Sequence, residues 1–167
     1  TILRQAILPP LKPVNIADIK PRMQAVANEI VDACFAKNSF DVVTDLAQPM
    51  PLQVVQDLIG LPDFGKDNML KWASAAFDMQ GVQNQRGQAA RSVIAEMRDF
   101  ISKNATADTL KPGSWTHRIS EMTEQGELDP ELAPFAIRDY INPSLDTTIS
   151  AIGHLMYHAS LQPDIWE

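Results

Sequence analysis

The chain contains little cysteine and little basic charge, and it has no long hydrophobic run. Its single cysteine, Cys34, excludes an internal disulfide framework. Fourteen basic residues against twenty-one acidic ones give a formal net charge of -7, so no nucleic-acid partner is expected. No segment approaches the roughly 18 apolar residues of a membrane helix, and no basic-then-apolar leader is visible. The composition therefore predicts a cytoplasmic protein without a membrane partner.

Several enzyme motifs are also missing. Because the sequence has neither a Gly-x-Gly-x-x-Gly nor a phosphate-binding loop, and no Gly-x-Ser-x-Gly elbow, nucleotide-binding and serine-hydrolase chemistry are not expected. His154 and His158 have the four-residue spacing of two zinc ligands, but the only other histidine is His117. The alternative is a pair of partly exposed histidines that the negative end of a helix dipole favours. No metal site is predicted.

Helical periodicity runs through most of the 167 residues, of which 45% are hydrophobic. Apolar residues at spacings of three and four predict helices over residues 15–37, 52–59, 65–79, 83–104 and 115–124. Pro51 suits a helix start and Gly60 a left-handed helix stop. Cys34 lies on the apolar face of its helix and is expected to be a small core residue. The sequence predicts one all-α unit over residues 1–167, and its start at Thr1 rather than Met indicates a processed or partial protein.

Residues 129–161 form the last long apolar stretch and carry the strongest helix signals. Asp129 is suited to cap free N–H groups, and Pro130 fits the first position of a helix. Apolar residues then recur at spacings of three, four or seven until residues 162–163. The pattern predicts one long helix, about 48 Å in length at roughly 1.5 Å per residue.

A polar patch interrupts this predicted helix. Pro143 has no N–H for the carbonyl of Asp139, so the helix must open or kink there. Ser144, Asp146 and Thr147 follow. An opened turn leaves a carbonyl free, and an acid beside hydroxyl groups can hold water and relay protons. The alternative is a surface aspartate followed by threonines that bond back to helix carbonyls.

This order of helix, break, acid and hydroxyl groups resembles the distal helix of the cytochrome P450 superfamily of haem-thiolate monooxygenases. The usual family signature is Ala-Gly-x-Asp-Thr-Thr, and this chain has Pro143-Ser144-Leu145-Asp146-Thr147-Thr148. The acid and both threonines match, whereas the two small residues are replaced. The pattern Pro-x-x-Val-x-x-x-x-x-Gly-x-Pro over residues 51–62 and the segment 162–166 also resemble the family, so the likeness covers essentially the whole chain.

The resemblance implies a haem cofactor that activates dioxygen to oxidise a small organic substrate, with electrons from a ferredoxin-type donor. It implies that Thr147 bonds the bound oxygen or its water and that Asp146 passes protons inward. Pro143 and Ser144 would lie where oxygen and water sit beside the haem. Asn142 would face the substrate pocket nearby.

Four further roles follow from the resemblance. Arg4 would bind a haem propionate, with a solvated surface arginine as the alternative. Phe77 and Met79 lie near the junction of two helices that form the family's lid, and each is a candidate for substrate contact or for packing within the lid. Arg138 has no acidic residue three or four positions away, so it is expected to attract an acidic substrate such as an aromatic carboxylate.

Two family motifs, the cysteine loop that holds the haem iron and the Glu-x-x-Arg sequence, are not found in the chain. We therefore expect the chain alone to be inactive and its parent protein to be a monooxygenase. Two alternatives stay open: a helical scaffold that kept the fold and lost the chemistry, and a metal-binding protein that uses His154 and His158.

Overall fold

Every regular element in the described part of the chain is a helix. The computed structural model describes residues 2–162 and residue 164. The α-helices are α1 (Ile2–Ile7), α2 (Pro13–Phe35), α3 (Pro49–Ile59), α4 (Asp63–Gln80), α5 (Gln85–Asn104), α6 (Trp115–Glu124), α7 (Ala133–Ile141) and α8 (Asp146–Ser160). A 3-10 turn, Pro9–Leu11, and a π-helical turn, Val42–Ala47, lie between them. The predicted all-α class is confirmed, whereas the predicted stop at Pro163 and the family-like residues 165–166 lie outside the described residues.

Local capping signals explain why several boundaries agree with the prediction. Ser114 accepts a hydrogen bond from the backbone N–H of His117 at 3.2 Å, which starts α6 at Trp115 as expected. Gly60 ends α3 in the left-handed conformation with φ +73°, and its N–H bonds the carbonyl of Gln56 at 2.9 Å. These boundaries depend on neighbours within a few residues, so the sequence contains their cause.

The main core lies where α3 to α8 and α1 meet. Its largest fully buried side chains come from five helices and the loops beside them: Trp72, Ile59, Leu61, Met69, Met97, Ile119, Leu128, Ile137, Ile141 and Leu145. Trp72 is central, because its ring lies 5.2 Å from that of Phe100 and its Nε1 donates to Glu96 at 3.1 Å. These contacts pack α4 against α5 as one antiparallel pair.

A second, smaller core joins α2 to α3 and to the π-helical turn. It contains Val26, Ile30, Cys34 and Val54. Cys34 is 5% exposed and its thiol lies 3.5 Å from the carbonyl of Asp45, so the predicted core role of this cysteine is confirmed. Asp41 caps the turn, since its carboxylate accepts from the N–H groups of Val43 and Thr44 at 2.9 and 2.8 Å. These hydrogen bonds lower the pKa of Asp41, with the bonds from Thr44 as the main cause.

The predicted helix over residues 129–161 begins later than expected, and the opening or kink expected at Pro143 is a full interruption. α7 begins at Ala133, because Pro134 has no N–H and is tolerated only in the first turn of a helix. Asp129 instead forms a turn in which its carboxylate accepts from the N–H of Glu131 at 2.9 Å. The stretch is two helices, α7 and α8, separated by residues 142–145.

Gly60→Ala is expected to destabilise the chain by about 3 kcal/mol. An added Cβ would overlap the side chain of Ser114 and lie 2.9 Å from Cβ of Lys111, which costs about 1–3 kcal/mol in overpacking. The left-handed φ adds about 1–2 kcal/mol for any residue with a Cβ. Gly113→Ala is the matched control, because φ is +76° there and nothing lies within 4 Å. Urea unfolding of both variants separates the two terms, and equal losses would contradict the steric account.

Candidate functional site

The break between α7 and α8 forms the centre of the candidate site. Pro143 supplies no N–H to the carbonyl of Asp139, so α7 ends at Ile141, and Asn142 closes it by donating to the carbonyl of Arg138 at 2.9 Å. Leu145 is fully buried and holds the break against the main core. The opening predicted from Pro143 is therefore present, and it is a complete interruption of the helix rather than a kink.

The polar side chains at the break bond to backbone carbonyls that the interruption leaves open. The Ser144 hydroxyl donates to the carbonyl of Tyr140. The Thr147 hydroxyl donates to the carbonyl of Pro143 at 2.9 Å, and the side chain is exposed. Asn142 is the exception, since its Oδ1 is buried and has no hydrogen-bond partner among the described residues. The break thus presents one exposed hydroxyl, on Thr147, and one buried amide oxygen, on Asn142, that has no partner among the described residues.

Asp146 is the first residue of α8 and is half-buried. A carboxylate is favoured at this position by the positive end of the helix dipole. Arg86, at the start of α5, pairs with Asp78 at the end of α4 at 2.8 Å. The pKa of Arg86 is raised mainly by its bond to Asp78, and the negative charge of Asp146 contributes. The carboxylate of Asp146 therefore lies close enough to Arg86 for its negative charge to act on that guanidinium.

Helix α1 carries Arg4 and is tied to the later helices by two hydrogen bonds. Arg118 Nη1 donates to the carbonyl of Ala6 at 2.8 Å, and the hydroxyl of Tyr140 donates to the carbonyl of Ile7 at 2.9 Å. Burial raises the pKa of Tyr140 to about 12, which keeps this hydroxyl a donor. Arg4 itself is exposed, and its side chain has no bonding partner in the part of the chain that the structure describes.

A cavity of about 630 Å³ lies between the end of α4, one face of α5 and the first turns of α7. Its lining includes Met79 and Arg138, so two predicted substrate residues from distant parts of the sequence share one wall. Phe77 and Asn142 do not line it, and Phe77 is half-buried in α4. The structure thus brings Met79 and Arg138 together but leaves Phe77 and Asn142 outside this cavity.

The expectation that Arg138 lacks a partner on its helix is wrong. Its Nε and Nη2 donate to Oδ1 of Asp139 at 3.0 and 2.7 Å. Its guanidinium also lies 5.1 Å from the centre of the Phe135 ring. Adjacent helix positions do not normally face each other, so the usual spacings of three and four residues do not predict this pair. The charge of Arg138 is already compensated by a neighbouring carboxylate.

Arg86 and Arg98 are charged residues at these sites that the sequence analysis missed. Arg98 lies on α5 and lines the same cavity as Arg138. Arg86 could have been found as the opposite charge to Asp78 across the turn between α4 and α5. No local signal marks Arg98, because its place in the cavity depends on how α5 packs against α7.

The histidine pair does not form a metal cluster within the described residues. His154 and His158 both lie beside an open, largely apolar cavity of about 410 Å³ on α8. The Nδ1 atom of His154 is 2.7 Å from the carbonyl of Ser150. Across residues 2–162 and 164, no group of three or more His, Cys, Asp or Glu side chains could hold a metal ion. In the same residues, no helix is long and apolar enough to cross a bilayer.

Comparisons with known proteins place this arrangement in a family. No model of a protein family matches the sequence. Cytochrome p450 CYP199A2 of Rhodopseudomonas palustris is 29% identical over 155 residues, which cover 92% of this chain and 38% of that protein. Erythromycin C-12 hydroxylase of Saccharopolyspora erythraea is 33% identical over 172 aligned residues, covering 99% of this chain and 42% of that protein. The crystal structure of CalO2 matches with a TM-score of 0.79 at 19% identity, covering 98% of this chain and 42% of that one.

The chain has the helical fold of the cytochromes P450, and its sequence relatives over most of its length are cytochromes P450. The sequence relatives and the fold together support part of a cytochrome P450. The chain spans about two fifths of the length of the curated relatives that it matches.

Haem is the cofactor that this family implies, and the described residues fit one side of a haem site. The break supplies the unpaired Oδ1 of Asn142 and the exposed hydroxyl of Thr147. Arg4 is a free guanidinium that suits a carboxylate of the haem. Cys34 does not fit the thiolate ligand, because it is buried in the second core against the carbonyl of Asp45.

Proposed function

We propose that this chain forms the distal side of a haem-dependent monooxygenase, with α7 and α8 as the oxygen-facing wall and α4 and α5 as the lid. One observation carries the proposal: the interruption at residues 142–145 places an acid and a hydroxyl at the start of α8 within a cytochrome P450 fold. We treat residues 1–167 as a single helical part of the P450 domain. The alternative is a non-catalytic scaffold of the same fold, in which Asp146 and Thr147 have no catalytic role.

Dioxygen activation is the chemistry that bound haem supplies. In the complete reaction one oxygen atom enters the substrate and the other leaves as water, which consumes two electrons and two protons. We assign the proton supply to Asp146, because this half-buried acid has access to solvent at the start of α8. We place Thr147 at the end of the proton path nearest the bound oxygen. Its hydroxyl donates to the carbonyl of Pro143 and can still accept a hydrogen bond through its lone pairs.

Arg4, Pro143 and Ser144 are the residues that we assign to cofactor binding. Arg4 would pair with a haem carboxylate, and the two hydrogen bonds from Arg118 and Tyr140 to α1 would fix the position of that helix. Pro143 and Ser144 keep the turn open beside the haem. Because Cys34 does not fit the thiolate role, we infer that residues 1–167 alone do not turn over. From the family resemblance we also propose that a ferredoxin-type protein reduces the complete enzyme.

We infer a small organic acid with an aromatic body as the substrate class. The cavity of about 630 Å³ has the size of a small-molecule site, and Met79 and Phe135 contribute to its apolar lining. Two arginines, Arg98 and Arg138, line it together with one acid, Asp99. Phe77 and Asn142 are proposed to meet the substrate only where it extends toward the break.

Oxygen-isotope labelling tests the proposed function. The protein expressed from the complete reading frame is given 4-ethylbenzoate, a reducing partner and dioxygen labelled with oxygen-18. We expect one labelled oxygen in the hydroxylated product when dioxygen is labelled, and no label in it when only the water is labelled. Label from water alone would contradict a monooxygenase and favour a hydrolytic or hydrating activity.

Thr147→Val is expected to lower the yield of product per dioxygen consumed about tenfold, because one hydrogen bond to the reacting oxygen is lost. The reduced oxygen would leave as hydrogen peroxide, which a peroxidase-coupled assay measures. Thr148→Val is the matched control, since Thr148 is also exposed on α8 but lies outside the assigned path. Thr147→Ser should restore most of the yield. Equal yields for Thr147→Val and the control would contradict the role of this hydroxyl.

A further inference from the structure

The cavity between α4, α5 and α7 combines an apolar wall with three charged side chains. Its apolar lining is Met79, Ile94, Ala95, Ile101, Pro134 and Phe135. The charged residues in the lining are Arg98, Asp99 and Arg138. Which of these charges is free to meet a ligand decides what the cavity binds.

Two of the three charges are already compensated within the chain. Arg138 donates two hydrogen bonds to Asp139 and lies over the ring of Phe135. Asp99 pairs with Lys103, one turn further along α5, at 2.8 Å. Arg98 forms neither an ion pair nor a side-chain hydrogen bond with any of the described residues. The uncompensated charge of the cavity is therefore a single positive one, on α5.

We propose that Arg98 is the specificity-determining residue of this cavity and that it selects the carboxylate of an aromatic or similarly apolar acid. A guanidinium matches a carboxylate with two parallel hydrogen bonds, and the apolar lining accepts the body of the ligand. The inference rests on the proposed function only in taking the ligand to be a substrate; binding itself requires no haem. Arg98, rather than the Arg138 predicted from the sequence, is then the residue that binds the carboxylate.

A direct binding measurement tests the assignment. The chain is titrated calorimetrically with 4-ethylbenzoate and with its neutral methyl ester at low ionic strength. We expect Arg98→Gln to weaken binding of the acid about tenfold and to leave the ester unchanged, because only the charged hydrogen bonds are lost. Arg138→Gln should weaken the acid less, since Asp139 already holds that guanidinium. Added salt should weaken the acid and not the ester.

Arg91→Gln is the matched control for these titrations. Arg91 lies two turns before Arg98 on α5, is exposed, and bonds Gln83 rather than lining the cavity. It should leave both ligands unchanged. Three results would each overturn the proposal. They are an unchanged affinity of Arg98→Gln for the acid, an equal loss of affinity for acid and ester, and no binding of either ligand to the unmodified chain. None of these results bears on haem binding or turnover. The monooxygenase proposal is therefore tested separately, by the oxygen-isotope labelling.

Discussion

Asp146→Asn is expected to lower the rate of product formation by the haem-loaded enzyme about 100-fold, the lower end of what a positioned proton donor contributes. Asparagine keeps the size and position of the side chain at the start of α8, but its amide does not ionise and so cannot serve as a proton donor or acceptor. Affinity for the substrate should stay within about twofold, because Asp146 does not line the cavity that holds the substrate. Single-turnover product formation and equilibrium binding measure the two quantities.

The control for this variant is Asp129→Asn. Asp129 is an exposed acid whose side chain accepts from the N–H of Glu131, and an asparagine oxygen can make the same bond. Its rate should equal that of the unmodified enzyme. The solvent deuterium isotope effect on turnover should rise in Asp146→Asn alone. A rate for that variant within threefold of normal would remove Asp146 from the proton path and favour its reading as a surface helix residue.

Trp72→Ala is expected to destabilise the chain by about 3–5 kcal/mol, the usual cost of truncating a fully buried aromatic side chain. The indole is 0% exposed and packs against the rings of Phe100 and Phe64 at centroid distances of 5.2 and 6.3 Å. Its loss also removes the hydrogen bond to Glu96, whose pKa is lowered by the bond from Lys71 and, next, by that from Trp72. Urea unfolding followed by circular dichroism gives the free energy of unfolding.

Two further variants separate packing from hydrogen bonding at Trp72. Trp72→Phe keeps an aromatic ring and removes only the N–H donor, so its loss should be about half that of Trp72→Ala. Phe35→Ala is the exposed counterpart, because that ring is 83% exposed, and its effect should stay within about 0.5 kcal/mol. A loss below about 1 kcal/mol for Trp72→Ala would mean that the α4–α5 contact is not the central packing interaction.

The parts of the fold that could be predicted are those with a local cause. Gly60 ends its helix because of its own backbone conformation, and Ser114 starts α6 through a bond three residues away. The interruption at Pro143 follows from the missing N–H of one residue. The start predicted at Asp129 was wrong because Pro134, five residues later, is tolerated only in the first turn of a helix, so the helix begins at Ala133 rather than at Pro130.

The parts of the site that could not be predicted depend on packing between distant segments. Arg138 and Met79 are 59 residues apart in sequence, and only the contact of α7 with the α4–α5 pair brings them to one cavity. Arg98 lines that cavity for the same reason. The pairing of Arg138 with its immediate neighbour Asp139 was missed for a different reason, since long side chains at a helix surface can bend toward each other against the usual spacing rule.

The most direct test of the account is the difference spectrum of the reduced protein with and without carbon monoxide. It is recorded for the product of the complete reading frame and for residues 1–167 alone. We expect the strongly red-shifted Soret band of a thiolate-ligated haem from the complete product, and no such band from residues 1–167. The absence of the band from both proteins would contradict the monooxygenase proposal and leave a helical scaffold of the same fold.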